Sequence, residues 1–182
     1  MKIGCLVEGP STDEAFLRGL RRQLCPEGEL LGPHYRGKYR KRRRRELRDG
    51  CRELALRGAD VIVNLNDANE LSWHERRDQE SEWVPEELRH KVVIGAPEPN
   101  IEMWLIADPA YFQRRTGSAC RPKPADPKPL VKKALADSGQ DVADFVAEAD
   151  LHRWQSEDRS FKAFLDECRD MARRLNCKLA GE

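Results

Sequence analysis

The sequence predicts an α/β fold, in which a mostly parallel, Rossmann-like sheet is flanked by helices and followed by a helical C-terminal part. Three short apolar runs, at residues 2–7, 60–65 and 91–95, have the composition of strands that are covered on both faces. Amphipathic helical spacing follows the first run and precedes the second. Right-handed crossovers would place the carboxyl ends of such strands on one edge of the sheet, where open α/β sheets bind their ligands.

The composition favours one domain with a heavily charged exterior. Of the 182 residues, 39% are hydrophobic and 36% are charged, which leaves a modest core. We expect a single domain over residues 1–182, with the sheet core in 1–115 and a proline-rich loop with C-terminal helices in 116–182. No apolar stretch has the length of a membrane span and no signal peptide is recognisable, so we expect no membrane association and a cytoplasmic location.

Six cysteines are scattered along the chain without a Cys-x-x-Cys pair. Several of them occupy apolar positions of strand or helix patterns. We therefore expect reduced thiols in the core, in preference to a zinc site or a disulfide.

The first strand ends at Glu8, which makes this carboxylate the first candidate for chemistry. Residues 11–14, Ser-Thr-Asp-Glu, have the form of a capping box that opens a helix. The inward face of that helix would carry Phe16, Leu17, Leu20 and Leu24.

Residues 25–33 contain two glycines and two prolines, which predicts a loop. A basic tract follows, and its candidate nucleic-acid-binding residues are Arg40, Lys41, Arg42, Arg43, Arg44 and Arg45. Basic side chains neutralise phosphates, and the interleaved Tyr35 and Tyr39 are able to stack on unpaired bases. The alternative is a solvated helix face, because apolar residues recur at helical spacing after Arg45.

The second strand is followed by Asp67-Ala68-Asn69, and the crossover would bring Asp67 near Glu8. Asn69 is able to offer a carbonyl oxygen to a hard cation but supplies no charge. Residues 71–83 carry many charges of both signs and predict an exposed helix or mobile loop. Within them, His74 is either a general base or a surface residue.

After the third strand, an almost entirely apolar segment at 101–108 predicts a buried helix with Asn100 as its N-cap. Glu102 is the carboxylate in its first turn. It is either a third site residue or a complement to the helix dipole. Asp108 is expected to have a structural role at a helix end.

Three blocks resemble Toprim-fold proteins, especially the nucleases of the overcoming-lysogenization-defect type and their small relatives. Residues 7–17, VEGPSTDEAFL, are similar to the opening motif with its metal-binding glutamate. Residues 67–69 are similar to the Asp-x-Asp motif, with Asn69 in place of the second acid. Residues 99–108, PNIEMWLIAD, resemble the most specific block, a glutamate before a Trp-Leu-x-Ala-Asp run.

The C-terminal part begins with the prolines of residues 116–129, which predict an ordered loop or lid. Residues 126–128, Asp-Pro-Lys, resemble a Pro-Lys step of the same relatives. Lys128 would offset charge on a phosphate, or else is a surface residue. Helices are predicted at about 129–138, from 141 and at about 160–175.

The resemblance and the acids together predict a metal-dependent nuclease that hydrolyses phosphodiester bonds in DNA or RNA. Carboxylate and carbonyl oxygens suit Mg²⁺ or Mn²⁺, and crowded acids need a cation. Glu8, Asp67 and Glu102 would be catalytic, and these three with Asn69 would bind the metal. The alternative is a catalytically silent module that binds nucleic acid or a partner protein. By resemblance alone, an ATPase partner in an antiviral system is also expected.

Overall fold

The computed structural model describes residues 1–8, 12–35, 43–121 and 124–177. A parallel sheet lies at its centre. Its strands are β1 (Lys2–Val7), β2 (Glu29–Tyr35), β3 (Val61–Leu65) and β4 (Val92–Gly95), in the order β2-β1-β3-β4. The predicted α/β fold with a parallel sheet is thus confirmed.

Helices connect the strands and follow the last of them. Between strands lie α1 (Thr12–Leu24), α2 (Arg43–Leu56), α3 (Trp73–Trp83) and a 3-10 helix (Glu86–Lys91). After β4 come α4 (Ile101–Leu105), α5 (Pro109–Thr116), α6 (Lys128–Ser138), α7 (Val142–Ala147), α8 (Leu151–Glu157) and α9 (Arg159–Arg174). In the described ranges, none of these helices combines the length and apolar character of a membrane span.

Both faces of the sheet are covered, which explains why its strands are apolar at successive positions. Alternate residues of β1 and β3 enter a first core, built with α1 and the helices after β4. Its centre is aromatic, with Phe16, Trp104, Phe161 and Phe164 in contact. The remaining positions enter a second core with α2, α3 and the segments beside them: Leu6, Leu47, Cys51, Leu54, Ala59, Ile62, Val84 and Ile94.

The C-terminal helices pack on the sheet layer, as the sequence predicted. Helix α9 contacts β4, and α7 lies against α1. The α1–α7 contact is very close at Gly19, where an added Cβ would lie 2.4 Å from the carbonyl oxygen of Ala143. A glycine at this position allows the two helices to touch through their backbones.

The loop predicted at residues 25–33 is wrong, because β2 begins at Glu29. This strand pairs with β1 in parallel, from Lys2 opposite Glu29 to Val7 opposite Tyr35. In the sheet order β2-β1-β3-β4, β2 is an edge strand. An edge strand tolerates Pro33, since no strand of the described residues pairs with the other side of its backbone.

The expectation that all six cysteines are reduced is also wrong. Cys25, just after α1, forms a disulfide with Cys177, just after α9, across a sequence separation of 152. Cys5, Cys51, Cys120 and Cys168 are free thiols, the first two of them buried. The bond fastens the end of the last helix to the connection between α1 and β2.

Candidate acidic site at the sheet edge

Three adjacent parallel strands bring the three predicted acids to one edge of the sheet. Glu8 directly follows β1, Asp67 follows β3, and Glu102 lies in the first turn of α4 after β4. Burial raises the pKa of Asp67 from its ordinary value of 3.8 to about 7. Repulsion adds to that rise, and it comes from the carboxylates of Asp13, Glu8 and Glu102. The predicted residues therefore share one electrostatic site.

Asp13 is a fourth acid of this site, and the sequence analysis did not assign it. Its pKa is raised from 3.8 to about 6, chiefly by burial and in part by repulsion from the carboxylates of Glu8 and Glu102. A hydrogen bond with the backbone of Glu8 and the positive charge of Lys128 act in the opposite direction. The sequence feature that could have indicated this role is the position of Asp13 in the first turn of α1, just past the end of β1. The sequence pattern assigns that turn to a capping box with Ser11, which lies outside the described residues.

The loop that carries Asp67 is fixed by the chain that follows β4. The N–H groups of Asn66, Ala68 and Asn69 donate to the carbonyls of residues 95, 97 and 99, at 2.8–3.0 Å. Asp67 itself accepts a hydrogen bond from the N–H of Ile101, 3.0 Å from its Oδ1. Asp67 thus caps α4, whereas the predicted cap Asn100 makes no side-chain capping bond. The predicted helix at 101–108 is also shorter, because α4 ends at Leu105 and Asp108 caps α5.

Glu102 is almost completely buried, with 1% of its surface exposed. Its Oε2 atom is buried and has no hydrogen-bond partner among the described residues. A buried carboxylate oxygen without a partner costs free energy, and a bound cation would offset that cost. The alternative is that Glu102 only complements the dipole of α4. That role does not account for the unpaired oxygen, because a helix of five residues has a small dipole to complement.

Two of the basic residues that were predicted to bind nucleic acid lie near the acids. The Nη2 atom of Arg43 is 3.2 Å from Oε1 of Glu8, and the two side chains are 15% and 25% exposed. Lys128, at the start of α6, is close enough to lower the pKa of Asp13. Positive charge in the described part of the chain therefore partly compensates this acidic edge.

The other predicted residues of the basic tract divide between the start of α2 and the part of the chain outside the described ranges. Arg44 and Arg45 are exposed on the first turn of α2, and Arg45 pairs with Asp49 at 3.3 Å. Arg40, Lys41 and Arg42 lie outside the described residues. Positions 43–45 therefore present a basic helix start beside Glu8.

Asn69 lies beside the acids, in a left-handed backbone conformation with φ of 56°. It is exposed, and its Nδ2 donates to the backbone carbonyl of Asp67 at 2.9 Å. Its amide group therefore stabilises the loop, and the amide oxygen is the atom that would reach a cation.

Helix α3 is not merely an exposed helix, because two of its charged residues are buried. Glu80 is fully buried and accepts hydrogen bonds from the amides of Asn64 and Asn66. Arg76 is 7% exposed and donates to the carbonyl of Ala68 at 3.3 Å. These contacts fix Asn66 and Ala68, the two residues on either side of Asp67. His74, by contrast, is exposed and stacks on Trp73.

A groove of about 580 Å³ opens beside Glu8. Its lining includes Arg43, Asn69, Arg76 and Trp83, so it runs between the start of α2, the Asp67 loop and α3. A ligand in this groove would lie next to the acids.

No family model, characterised protein or solved structure matches the chain. The interpretation of the site therefore rests on its own residues and geometry.

The acids supply the oxygen donors of a divalent-cation site, but their side chains are not arranged around a common point. Four carboxylates repel one another, and Glu102 has a buried oxygen without a partner among the described residues. In the described ranges, however, no three Asp, Glu, His or Cys side chains are arranged so that they could hold a metal ion. Carboxylate and amide oxygens are the donor types that suit Mg²⁺ or Mn²⁺, and these side chains would have to move to bind either ion.

Proposed function

We propose that the acidic edge binds Mg²⁺ or Mn²⁺ and that the protein is a Toprim-like nuclease that hydrolyses phosphodiester bonds in DNA or RNA. The observation that carries this proposal is the convergence of Glu8, Asp13, Asp67 and Glu102 at the carboxyl ends of neighbouring parallel strands. This is the edge at which such sheets bind ligands. Crowding four acids at one edge, with Glu102 almost completely buried, is costly for a purely structural cluster.

In this proposal Glu8, Asp67 and Glu102 hold the cation, with Asp13 and the carbonyl of Asn69 as further oxygen donors. A bound divalent cation supplies Lewis-acid stabilisation of the phosphate and a more acidic water. The chain itself orients the acids. The Ile101 N–H fixes Asp67, and the 95–99 carbonyls fix its loop.

Positive side chains would bind the substrate. Arg43 and Lys128 lie beside the acids and would contact the phosphate, whereas Arg44 and Arg45 would contact the backbone further along. Guanidinium and ammonium groups stabilise the negative charge that develops during phosphoryl transfer.

The decisive experiment is cleavage of circular DNA, linear DNA and RNA by purified protein in Mg²⁺ or Mn²⁺. Glu8→Gln and Asp67→Asn keep the shape of each side chain and remove its charge, so both variants should lose activity and Mn²⁺ binding. Glu82→Gln, on the exposed face of α3, is a matched control and should behave as the wild type. Unchanged Mn²⁺ binding in both site variants would refute the proposed site.

One observation favours a second candidate, the catalytically silent module. Arg43 already pairs with Glu8, so the site has its own counter-ion before any cation binds. In this alternative the wild type binds nucleic acid or a protein partner but cleaves no substrate in either metal. An ATPase partner stays a prediction of the resemblance, and copurification of the two proteins from a common operon would test it.

A further inference from the structure

We propose that the groove beside Glu8 is a subsite for one nucleotide of a single strand, with a phosphate on Arg43 and the base against Trp83. The inference rests on the proposed function, since it describes the part of the substrate that adjoins the cleaved phosphate. It assigns a role to α3, which the acidic site uses only as a support.

The size of the groove suits this ligand. Its volume of about 580 Å³ lies within the range of roughly 300 to 1,000 Å³ that is typical of small-molecule pockets. Its walls come from three separate segments: the start of α2, residues 69–71 and α3. A base is able to stack on a side chain only when it is unpaired or at a strand end, so the proposal takes a single strand as the ligand.

One end of the groove is suited to a phosphate. Arg43 lines it and lies 3.2 Å from Glu8, so a phosphate on this guanidinium would be directly beside the acids. A guanidinium has five N–H donors in a planar fork and is therefore able to bridge a carboxylate and a phosphate. Arg76 adds a second positive charge to the lining and is held by the carbonyl of Ala68 and by Gln79.

The other feature of the groove is an aromatic wall. Trp83 is the last residue of α3, lines the groove and is partly exposed. It also packs against the second core, which fixes its ring. In contrast, Trp104 and Trp154 are fully buried and unable to contact a ligand. A fixed, partly exposed indole is a stacking surface for any base, so the subsite should not depend on sequence.

The test is a double-mutant cycle between the protein and the bases of the ligand. Binding of octathymidylate, and of an octamer with the same phosphates but no bases, is measured by fluorescence anisotropy in Ca²⁺. The proteins are the wild type, Trp83→Leu and Trp83→Phe. Stacking on one base corresponds to about 5- to 150-fold in affinity. Trp83→Leu should lose a factor in that range for octathymidylate and little for the abasic octamer, whereas Trp83→Phe should retain most of it.

The matched control is Trp73→Leu, because Trp73 belongs to the same helix but is not part of the groove lining. It should bind both octamers as the wild type does. For the phosphate end, Arg43→Gln should reduce the salt slope by about 0.7 with both octamers.

Three results would overturn the subsite: no binding of octathymidylate, equal losses for both octamers in Trp83→Leu, or the same coupling in Trp73→Leu. These failures differ from a failure of the proposed nuclease. If cleavage requires Glu8 but the Trp83 variants bind both octamers as the wild type does, the subsite is refuted and the nuclease proposal stands. If Trp83 shows the coupling but the protein cleaves no substrate, the subsite stands and the nuclease proposal is refuted.

Discussion

In the metal-free protein, the free energy of unfolding should fall as the pH rises from about 5 to about 8, and Asp67→Asn should remove most of that fall. The folded protein holds the pKa of Asp67 at about 7, against an ordinary value of 3.8. Between these pH values the folded state binds more protons than the unfolded state, so its stability decreases with rising pH.

The size of the effect follows from the same two pKa values. A rise from 3.8 to about 7 corresponds to about 4 kcal/mol once the group is fully ionised, and about 2 to 3 kcal/mol of this lies between pH 5 and pH 8. In Asp67→Asn the new amide oxygen would still accept the Ile101 N–H, so the variant removes the charge and keeps the cap. Asp13, with a pKa of about 6, contributes a smaller loss of the same sign.

Urea unfolding followed by circular dichroism, in a chelator at pH 5, 6, 7 and 8, measures these free energies. The difference between Asp67→Asn and the wild type should grow by about 2 to 3 kcal/mol across the series. Glu82→Gln, which alters an exposed carboxylate, should give a constant difference. Parallel pH dependences for the wild type and Asp67→Asn would refute the raised pKa of Asp67 and, with it, the combined effect of burial and repulsion from the other acids.

Three further predictions concern stability, each measured by urea unfolding. Gly19→Ala should cost about 1 to 3 kcal/mol despite the better helix propensity of alanine, because its Cβ would clash with the carbonyl of Ala143. Reduction of the Cys25–Cys177 disulfide should cost about 2 to 5 kcal/mol, because the bond closes a very long loop. Glu80→Ala should cost about 2 to 4 kcal/mol, because two buried asparagine amides lose their acceptor.

Each of these predictions has a control within the chain. At Gly32→Ala, the nearest described atom to the added Cβ is at the end of the Arg57 side chain, 3.5 Å away, so this variant should be close to neutral. Cys120→Ser alters a free thiol and should leave the effect of the reductant unchanged. Glu82→Gln should leave stability within about 0.5 kcal/mol of the wild type. A stable Gly19→Ala variant, no response to reductant, or a neutral Glu80→Ala variant would contradict the respective argument.

Sequence reasoning found the strands that are buried on both faces and therefore the edge on which the site lies. Residues 2–7, 60–65 and 91–95 are mostly apolar at successive positions because two cores cover the strands within them. Once these strands are parallel neighbours, the positions of Glu8, Asp67 and Glu102 follow from chain order alone.

Strand β2 was missed because its local signals indicate a turn. Gly32 and Pro33 favour loops, yet pairing with β1 at the sheet edge supplies the hydrogen bonds that local preference does not. The disulfide was missed for a similar reason, since no spacing pattern relates Cys25 to a cysteine at the other end of the chain.

The remaining omissions are polar residues whose partners are distant in sequence. Asp13 has the local features of a helix-capping turn, and only the folded chain shows that it is buried near Glu102. Glu80 and Arg76 lie in a strongly charged segment, and no sequence pattern distinguishes them from their exposed neighbours. Their burial depends on the asparagines at positions 64 and 66 and on the carbonyl of Ala68.

The N–H groups of Asn66, Ala68 and Asn69 and the Oδ1 atom of Asp67 all bond to residues later in the chain, from Gly95 to Ile101. During synthesis on the ribosome, Glu8, Asp13 and Asp67 emerge before any of these partners. A nascent chain that has not yet reached β4 therefore contains Glu8, Asp13 and Asp67 but lacks the backbone groups that fix Asp67 and its loop. Because Glu102 lies in α4, after β4, the full repulsion among the four acids arises only when β4 and α4 have docked.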